Sequence, residues 1–237
     1  MTLPGRNHTP KLLLFDVDGT LILSGGKGKN AMLAAVAQEF GHTPRQFTFK
    51  DFAGSTDPRI ITTLLTQNGI SQTVTEADIQ RVLRRYLVCL QEEMAGGGVE
   101  VLPGVRELLS YARESGEFVL GLVTGNLAEG ARIKLSPVGL YDYFAVGAYG
   151  SDEMDRNLLP PIAVQRAEAR FRIRFAPENV WVIGDTPRDV ECARVNHYRA
   201  LAVATGGWPP AQLQESAPDA LLPDLSDMEA VLKILRA

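Results

Sequence analysis

Cysteine, histidine and long apolar runs are scarce in this chain of 237 residues. Its two cysteines are too few for a disulfide framework, and neither has the spacing of a zinc site. No apolar run approaches transmembrane length, and the polar first ten residues contain two prolines, so we expect neither a membrane span nor a signal peptide. Lys and Arg number 24 against 28 Asp and Glu, which argues against a nucleic-acid-binding surface. We therefore expect a cytoplasmic protein without nucleic-acid or membrane partners.

Short apolar runs alternate with helical patterns along most of the chain. Three of these runs, at residues 12–15, 118–123 and 180–183, are each followed directly by polar residues. Apolar runs of this length are typical of buried parallel strands. Strands that alternate with helices predict an α/β fold, here a doubly wound, Rossmann-like parallel sheet with helices on both faces.

The segment from residue 22 to residue 98 interrupts this alternation. It contains helical patterns, shows no convincing strand, and ends in three consecutive glycines suited to a hinge. We expect an α/β core formed by residues 1–21 and 99–237, with residues 22–98 inserted as a helical subdomain. The glycine-rich stretch 24–30 lacks the spacing of a phosphate-binding loop, so it is interpreted as a flexible linker.

Two acidic residues, Asp16 and Asp18, follow the first apolar run. Residues i and i+2 of an extended chain point the same way and lie roughly 6.5 Å apart. Two carboxylates that face each other repel, and burial makes each charge costlier. Such a pair requires a cation, a shared proton, or both; the alternative is a simple Asp-Gly turn in which Asp18 caps the strand end.

Polar residues also follow the two later apolar runs. Thr124 to Asn126 follow the second, and Asp185 and Asp189 follow the third. Taken singly, Thr124 would be a helix-capping hydroxyl and Asp185 a turn acid. In a parallel sheet, however, the carboxyl ends of the strands meet at one edge, where ligands bind. Converging carboxylates without a nearby His or Cys indicate Mg²⁺, and the turns at 19–20 and 125–126 would suit a phosphate.

Three motifs in this order resemble the haloacid dehalogenase superfamily: Asp-Val-Asp-Gly-Thr at 16–20, Thr-Gly-Asn at 124–126, and Gly-Asp-Thr-Pro-Arg-Asp at 184–189. The resemblance covers essentially the whole chain, and the helical insertion is similar to the class 1 cap of that family. It implies that Asp16 is the nucleophile and a Mg²⁺ ligand. It also implies that Asp18 protonates the leaving group and then activates water, while its backbone carbonyl binds the metal.

The remaining motif residues receive supporting roles from the same resemblance. Thr124 would hydrogen-bond the transferring phosphoryl group with the help of Asn126, Asp185 would complete the metal site, and Asp189 would orient that site. The residues expected to line the phosphate position are Gly19, Thr20, Gly125 and Asn126.

One position departs from the pattern of the family, which usually places a lysine in its third motif. The chain has Arg156 there, in the segment 152–161, and we expect its charge to screen the nucleophile. The alternative is an exposed loop arginine paired with Asp152 or Asp155. Lys134 is a second candidate for the screening charge, although its position in a helix predicts a solvent-facing side chain.

The resemblance implies a Mg²⁺-dependent phosphatase that hydrolyses a small phosphorylated metabolite, similar to phosphoglycolate phosphatases, through an aspartyl-phosphate. Asp18 argues against a dehalogenase, which needs no acid for a halide. The main alternative is a sugar phosphomutase similar to β-phosphoglucomutase, but Asp57 stands where those enzymes carry an arginine. A non-catalytic binding protein on this fold would be expected to lack a catalytic acid. We leave open whether the protein is a monomer or a homodimer.

Overall fold

The computed structural model describes residues 10–71 and 73–237, so the polar N-terminal segment up to residue 9 lies outside the described residues. The strands are β1 (Lys11–Phe15), β2 (Ile22–Leu23), β3 (Glu100–Val101), β4 (Phe118–Thr124), β5 (Val146–Tyr149), β6 (Val180–Gly184), β7 (Arg199–Val203) and β8 (Ala220–Leu222). Six of them form one parallel sheet in the order β5-β4-β1-β6-β7-β8. The predicted fold class is therefore confirmed.

The helices are α1 (Lys27–Phe40), α2 (Phe49–Phe52), α3 (Asp57–Gln67), α4 (Glu76–Ala95), α5 (Val105–Ser115), α6 (Ala128–Leu135), α7 (Leu159–Phe171), α8 (Pro187–Arg194), α9 (Pro210–Glu215) and α10 (Met228–Arg236). Four consecutive helices, α1 to α4, lie between β2 and β3, and the later helices alternate with the strands of the sheet and cover both of its faces. None of the helices in the described part of the chain is long and apolar enough to cross a membrane.

Strand β1 lies in the middle of the sheet and packs against hydrophobic cores on both sides. Leu13 and Phe15 belong to the core that α5 and α10 cover, whereas Leu12 and Leu14 belong to the core that α7 and α8 cover. All four side chains are fully buried. Successive residues of a strand point to opposite faces, so a strand between two helical layers must be apolar throughout.

Helices α1 to α4 pack on one another around a hydrophobic cluster of their own, with α1 against α4. The expected linker at 24–30 is partly wrong, because α1 begins at Lys27 and includes Gly28. Gly26 adopts a left-handed conformation (φ 82°) that turns the chain into the helix, and the ammonium of Lys27 donates to the carbonyl of Glu93. These contacts fix the start of a helix whose first turn contains the unfavourable Gly28.

The two ends of this helical segment lie side by side. Strands β2 and β3 form an antiparallel ribbon in which Ile22 pairs with Val101 and Leu23 with Glu100. At two residues each, these strands are too short to give a periodic pattern in the sequence, and they were not predicted.

The register of the sheet brings the three polar strand ends together. Phe15 pairs with Leu122 of β4 on one side and with Ile183 of β6 on the other. Asp16 therefore lies between the ends of these two strands, close to Thr124 and Asp185. This edge, with the strand order reversing around β1, is the usual ligand-binding position of a doubly wound sheet.

Candidate active site

Asp16 is the first residue beyond β1, and its N–H donates to the carbonyl of Ile183 at 2.9 Å. The residue is only 5% exposed. The pKa of the Asp16 carboxyl is raised to about 6, because the effects of burial and of the nearby Asp189 and Asp18 together outweigh the lowering effect of Arg156. Its negative charge is therefore incompletely compensated by the protein.

Arg156 supplies the positive charge beside this carboxylate. The residue is buried, and its Nη2 lies 3.2 Å from Oδ1 of Asp16 and also donates to Oδ1 of Asp189. Burial by itself lowers the pKa of Arg156, but the two carboxylates outweigh it and raise that pKa well above the ordinary value. The alternative pairings are not formed: Asp152 binds Arg166, and Asp155 caps the short helical turn by accepting from the N–H of Asn157.

Three buried carboxylates form a cluster at this edge of the sheet. Oxygen atoms of Asp16, Asp185 and Asp189 all lie within 4.8 Å of one another. Burial and the charges of the other two carboxylates raise the pKa of Asp185 well above its ordinary value. A Cβ at Gly206 would lie 1.7 Å from Oδ2 of Asp185, and a Cβ at Gly19 would lie 2.4 Å from the same atom. Only glycine at these two positions leaves room for the carboxylate of Asp185.

The cluster has the donors of a divalent metal site. Its donors are hard carboxylate oxygens, and Mg²⁺ binds such oxygens at about 2.0–2.1 Å. A divalent cation would relieve the repulsion that raises the pKa values of Asp16 and Asp185. The residues present therefore fit the ion that the sequence predicts.

Asp189 differs from the other members of the cluster because both of its oxygens already accept hydrogen bonds. Oδ2 accepts from the N–H and the hydroxyl of Thr186, at 3.0 and 2.6 Å, and Oδ1 accepts from Arg156. The bond from the Thr186 N–H is half of a capping box at the start of α8, and the other half is the bond from the Asp189 N–H to the hydroxyl oxygen of Thr186 at 3.3 Å. This arrangement suits a residue that holds Arg156 and the β6 loop in place.

The side chain of Asp18 is directed away from the carboxylate cluster. Its Oδ2 accepts from Nδ2 of Asn126 at 2.9 Å and from Nζ of Lys134 at 2.5 Å, and its Oδ1 lies 3.4 Å from the hydroxyl of Ser24. Asp16 and Asp18 therefore have different surroundings: the first is enclosed beside the guanidinium, and the second is partly exposed to the cavity.

Lys134 corrects one expectation. Its side chain is buried rather than solvent-facing, and its Nζ donates to Asp18 and, at 2.6 Å, to Oδ1 of Asn126. The sequence contains a signal for this position: Lys134 follows Ala131 by three residues and Gly130 by four, and both lie on the buried face of α6. Lysine in such a face indicates a partner for its charge.

The predicted phosphate-site residues have the following contacts. The fully buried Thr124 accepts at Oγ1 from Nδ2 of Asn126 at 2.8 Å. The hydroxyl of Thr20 donates to Oδ1 of Asp185 at 2.9 Å, and the N–H of Gly19 donates to the carbonyl of Ile22. Gly125 has no room for a side chain, because a Cβ there would lie 2.0 Å from the carbonyl oxygen of Ser55.

Helices α1 to α4 cover the edge of the sheet and enclose a cavity of about 550 Å³. The cavity reaches from Asp16, Asp18 and Asp185 to an apolar wall that includes Met32, Phe47, Phe52 and Ile60. Its size suits a small molecule.

The segment 53–57 ties this cover to the α/β core through hydrogen bonds. The N–H of Asp57 donates to the carbonyl of Gly125 at 2.7 Å, and the hydroxyl of Thr56 donates to the carbonyl of Met154 at 2.7 Å. Arg188 donates to the carbonyl of Ala53 at 2.7 Å. These bonds fix the position of the helical cover over the edge of the sheet.

Asp57 contributes a second bond between the cover and the core. Its buried Oδ2 accepts from the N–H of Leu127, at the start of α6, at 2.8 Å. Burial raises the pKa of Asp57 to about 6, although Lys134 and the Leu127 N–H both lower it. The sequence identifies Asp57 only as the residue that stands where sugar phosphomutases carry an arginine; its bond to Leu127 depends on a tertiary contact.

Residues 10–196 match the family model described as haloacid dehalogenase-like hydrolase. The chain belongs to the haloacid dehalogenase-like hydrolase family. The resemblance stated from its three motifs is thereby confirmed, as is the prediction of a hydrolase.

Two relatives of named function have nearly the same length as this chain. It is 30% identical over 227 residues to the phosphoglycolate phosphatase of Synechococcus elongatus, covering 94% of this chain and 98% of the relative. It is 25% identical over 224 residues to the phosphoglycolate phosphatase of Nitrosococcus oceani, covering 94% and 96%. A hydrolase of known structure from Pseudomonas syringae shares the fold, with a TM-score of 0.71, 18% identity and coverage of 95% and 98%.

Proposed function

We propose that this protein is a Mg²⁺-dependent phosphatase that hydrolyses a small phosphorylated metabolite similar to phosphoglycolate. The observation that carries the proposal is the difference in surroundings between two neighbouring acids. Asp16 is enclosed next to Arg156 and the carboxylate cluster, whereas Asp18 faces the cavity. A nucleophile and a proton-transfer group need these two different environments.

In the first step, a carboxylate oxygen of Asp16 attacks the phosphorus of the substrate. The bond from phosphorus to Asp16 forms, the bond from phosphorus to the ester oxygen breaks, and Asp18 gives its proton to that oxygen. Thr124 and Asn126 bind the transferring phosphoryl group, and Arg156 offsets the charge around Asp16. The product of this step is an aspartyl-phosphate and the free alcohol.

In the second step, Asp18 takes a proton from a water molecule whose oxygen attacks the phosphorus. The bond to Asp16 breaks, which releases inorganic phosphate and restores the carboxylate. Asp18 regains the proton that it donated in the first step, so one water molecule is consumed in each turnover.

Asp16, Asp185 and the backbone carbonyl of Asp18 would hold the Mg²⁺, and Asp189 would orient the site through Arg156 and Thr186. When bound, the ion would neutralise charge on the phosphoryl oxygens and on the buried carboxylates. The proposal rests on the oxygen donor set and on the uncompensated charge described above.

The helical segment 22–98 acts as a cap on the core formed by residues 1–21 and 99–237. Its separate hydrophobic cluster and its hydrogen bonds across the cavity support this division. Closure limits the size of the substrate and excludes bulk water. We place the enzyme in the cytoplasm as a monomer or homodimer; both cysteines are free and buried, as suits a reducing compartment.

A panel of phosphomonoesters assayed for phosphate release, with Mg²⁺ and with EDTA, tests the function. We expect Mg²⁺-dependent turnover of small phosphorylated acids. Asp16→Asn should lower kcat by at least about 10⁴-fold, while Asp152→Asn, on the surface, should retain activity. Absence of turnover with every phosphomonoester would disprove the phosphatase, and interconversion of sugar phosphates without phosphate release would indicate a mutase.

A further inference from the structure

We propose that Lys134 and Tyr86 form a carboxylate-binding subsite on the leaving-group side of the cavity, which selects phosphomonoesters of small hydroxy acids. The proposal rests on the proposed phosphatase function and adds the residues that choose its substrate. Neither residue belongs to the three motifs that identify the family.

One N–H group of the Lys134 ammonium has no acceptor among the described residues. The ammonium donates two hydrogen bonds, to Asp18 at 2.5 Å and to Asn126 at 2.6 Å, and an ammonium carries three N–H groups. Lys134 lines the cavity, so the third N–H is available to a bound molecule. Because Asp18 is the proton donor to the ester oxygen, a group bound to Lys134 lies close to that oxygen.

Tyr86 places a second donor beside the ammonium. It comes from α4, lines the same cavity, and its hydroxyl has no hydrogen-bond partner among the residues that the structure describes. Burial, with Asp57 and Asp18, raises the pKa of Tyr86 well above its usual value, so the hydroxyl keeps its proton at neutral pH. The two residues come from opposite sides of the cavity, one from the core and one from the helical cover.

A glycine keeps the space between these two donors open. A Cβ added to Gly28 of α1 would lie 3.1 Å from Nζ of Lys134 and 3.9 Å from the hydroxyl of Tyr86. Any side chain at this position would enter the space that both donors face. The glycine therefore leaves room for a ligand atom where an ammonium and a phenol converge.

This donor set is selective for an anion with two oxygens. Two lysines of the described residues line the cavity: Lys134 is buried, whereas Lys29 is exposed to solvent. The cover side of the wall is largely apolar, with Met32, Phe47 and Phe52. A carboxylate can accept from Lys134 with one oxygen and from Tyr86 with the other, whereas a hydroxyl of a sugar offers a single atom and no charge.

The test compares two substrates that differ only in the group of interest: 2-phosphoglycolate, and ethylene glycol monophosphate with a hydroxymethyl in place of the carboxylate. The quantity measured is the ratio of their kcat/KM values. We expect Lys134→Met to lower this ratio at least about tenfold, Tyr86→Phe to lower it about threefold to tenfold, and Lys134→Arg to restore part of it by keeping the charge.

Matched controls are Arg132→Met, an exposed cation on the same helix, and Tyr198→Phe, on the far part of the core; both should leave the ratio unchanged. Tyr86→Phe removes one oxygen atom, and Lys134→Gln keeps a hydrogen-bond donor to Asp18, so these variants serve if Lys134→Met does not fold. An equal loss on both substrates, or no loss, would overturn the subsite.

Hydrolysis of p-nitrophenyl phosphate with Mg²⁺ separates the two proposals. This substrate carries no carboxylate, and its leaving group needs little protonation. If wild type hydrolyses it while the substrate ratio is insensitive to positions 86 and 134, the subsite is wrong and the phosphatase stands. If wild type hydrolyses none of the three compounds, both proposals fail.

Discussion

Nη2 of Arg156 lies 3.2 Å from Oδ1 of Asp16, and the same nitrogen donates to Asp189, so one guanidinium joins two acids in the interior. Both contacts use a single nitrogen of the guanidinium, which carries two N–H groups. The arginine thus ties the expected nucleophile to the first turn of α8.

Arg156→Met should abolish activity and lower the free energy of unfolding by about 3–5 kcal/mol, because two buried carboxylates lose their cation. Arg156→Lys should keep part of the activity and part of the stability, since lysine retains the positive charge but not the shape of the guanidinium. The matched control is Arg166→Met, which breaks the partly exposed ion pair with Asp152 and should cost at most about 1 kcal/mol. Urea unfolding would measure the difference; similar losses for the two methionine variants would contradict the structural role of Arg156.

Asp57→Asn should change stability in a pH-dependent way. The folded-state pKa of Asp57 is raised from 3.8 to about 6, so the folded protein binds its proton more tightly than the unfolded chain does. The contribution of Asp57 to stability therefore falls as the pH rises from about 4 to 6 and stays low above that range.

Asparagine keeps an acceptor for the N–H of Leu127 but never ionises. The free energy of unfolding of the variant, relative to wild type, should increase by up to about 3 kcal/mol between pH 4 and pH 7. Unfolding curves at several pH values would measure this, and a difference between the two proteins that does not vary with pH would contradict it.

Gly125→Ala should disturb the cavity while Gly130→Ala should not. The Cβ at 125 would meet the backbone oxygen of Ser55 at 2.0 Å, and we expect a loss of about 1–3 kcal/mol and a higher KM. At 130, within α6, the nearest atom would be 3.7 Å away, so alanine should be neutral or stabilise by up to about 1 kcal/mol. Thermal unfolding and KM of both variants provide the measurement, and an unchanged KM in Gly125→Ala would contradict the expectation.

Mg²⁺ should raise the thermal unfolding midpoint of the wild type. A ligand at 100 times its Kd stabilises the native state by about 2.7 kcal/mol. Asp185→Asn should lose this stabilisation, because it removes a carboxylate of the cluster, whereas Asp152→Asn should retain it. Differential scanning calorimetry with Mg²⁺ and with EDTA would measure the shift; an equal shift in both variants would place the ion elsewhere.

The sheet edge was predictable from the sequence because strand ends carry local patterns. The apolar run before Asp16 and the runs before Thr124 and Asp185 reveal strands, and parallel strands must bring their ends together. The family motifs then add roles to positions that the pattern had already grouped.

The other half of the cavity depends on contacts between distant segments. Asp57 accepts from Leu127, seventy residues away, and Lys134 reaches Asp18 across 116 residues. A helical lysine is usually solvated, and this general tendency predicts the wrong orientation for Lys134 although Gly130 and Ala131 share its face of α6. The cover itself shows helical periodicity, but the atoms that it presents to a substrate are fixed by how four helices stack.

In the ribbon formed by β2 and β3, the chain enters the helical segment and leaves it at adjacent positions. Its paired residues close the α/β portion on themselves, whatever length of chain runs between Leu23 and Glu100. We therefore expect the sheet to keep its chemistry when the intervening segment is lengthened, shortened or exchanged for another. In this proposal, substrate recognition and reaction can change independently of each other.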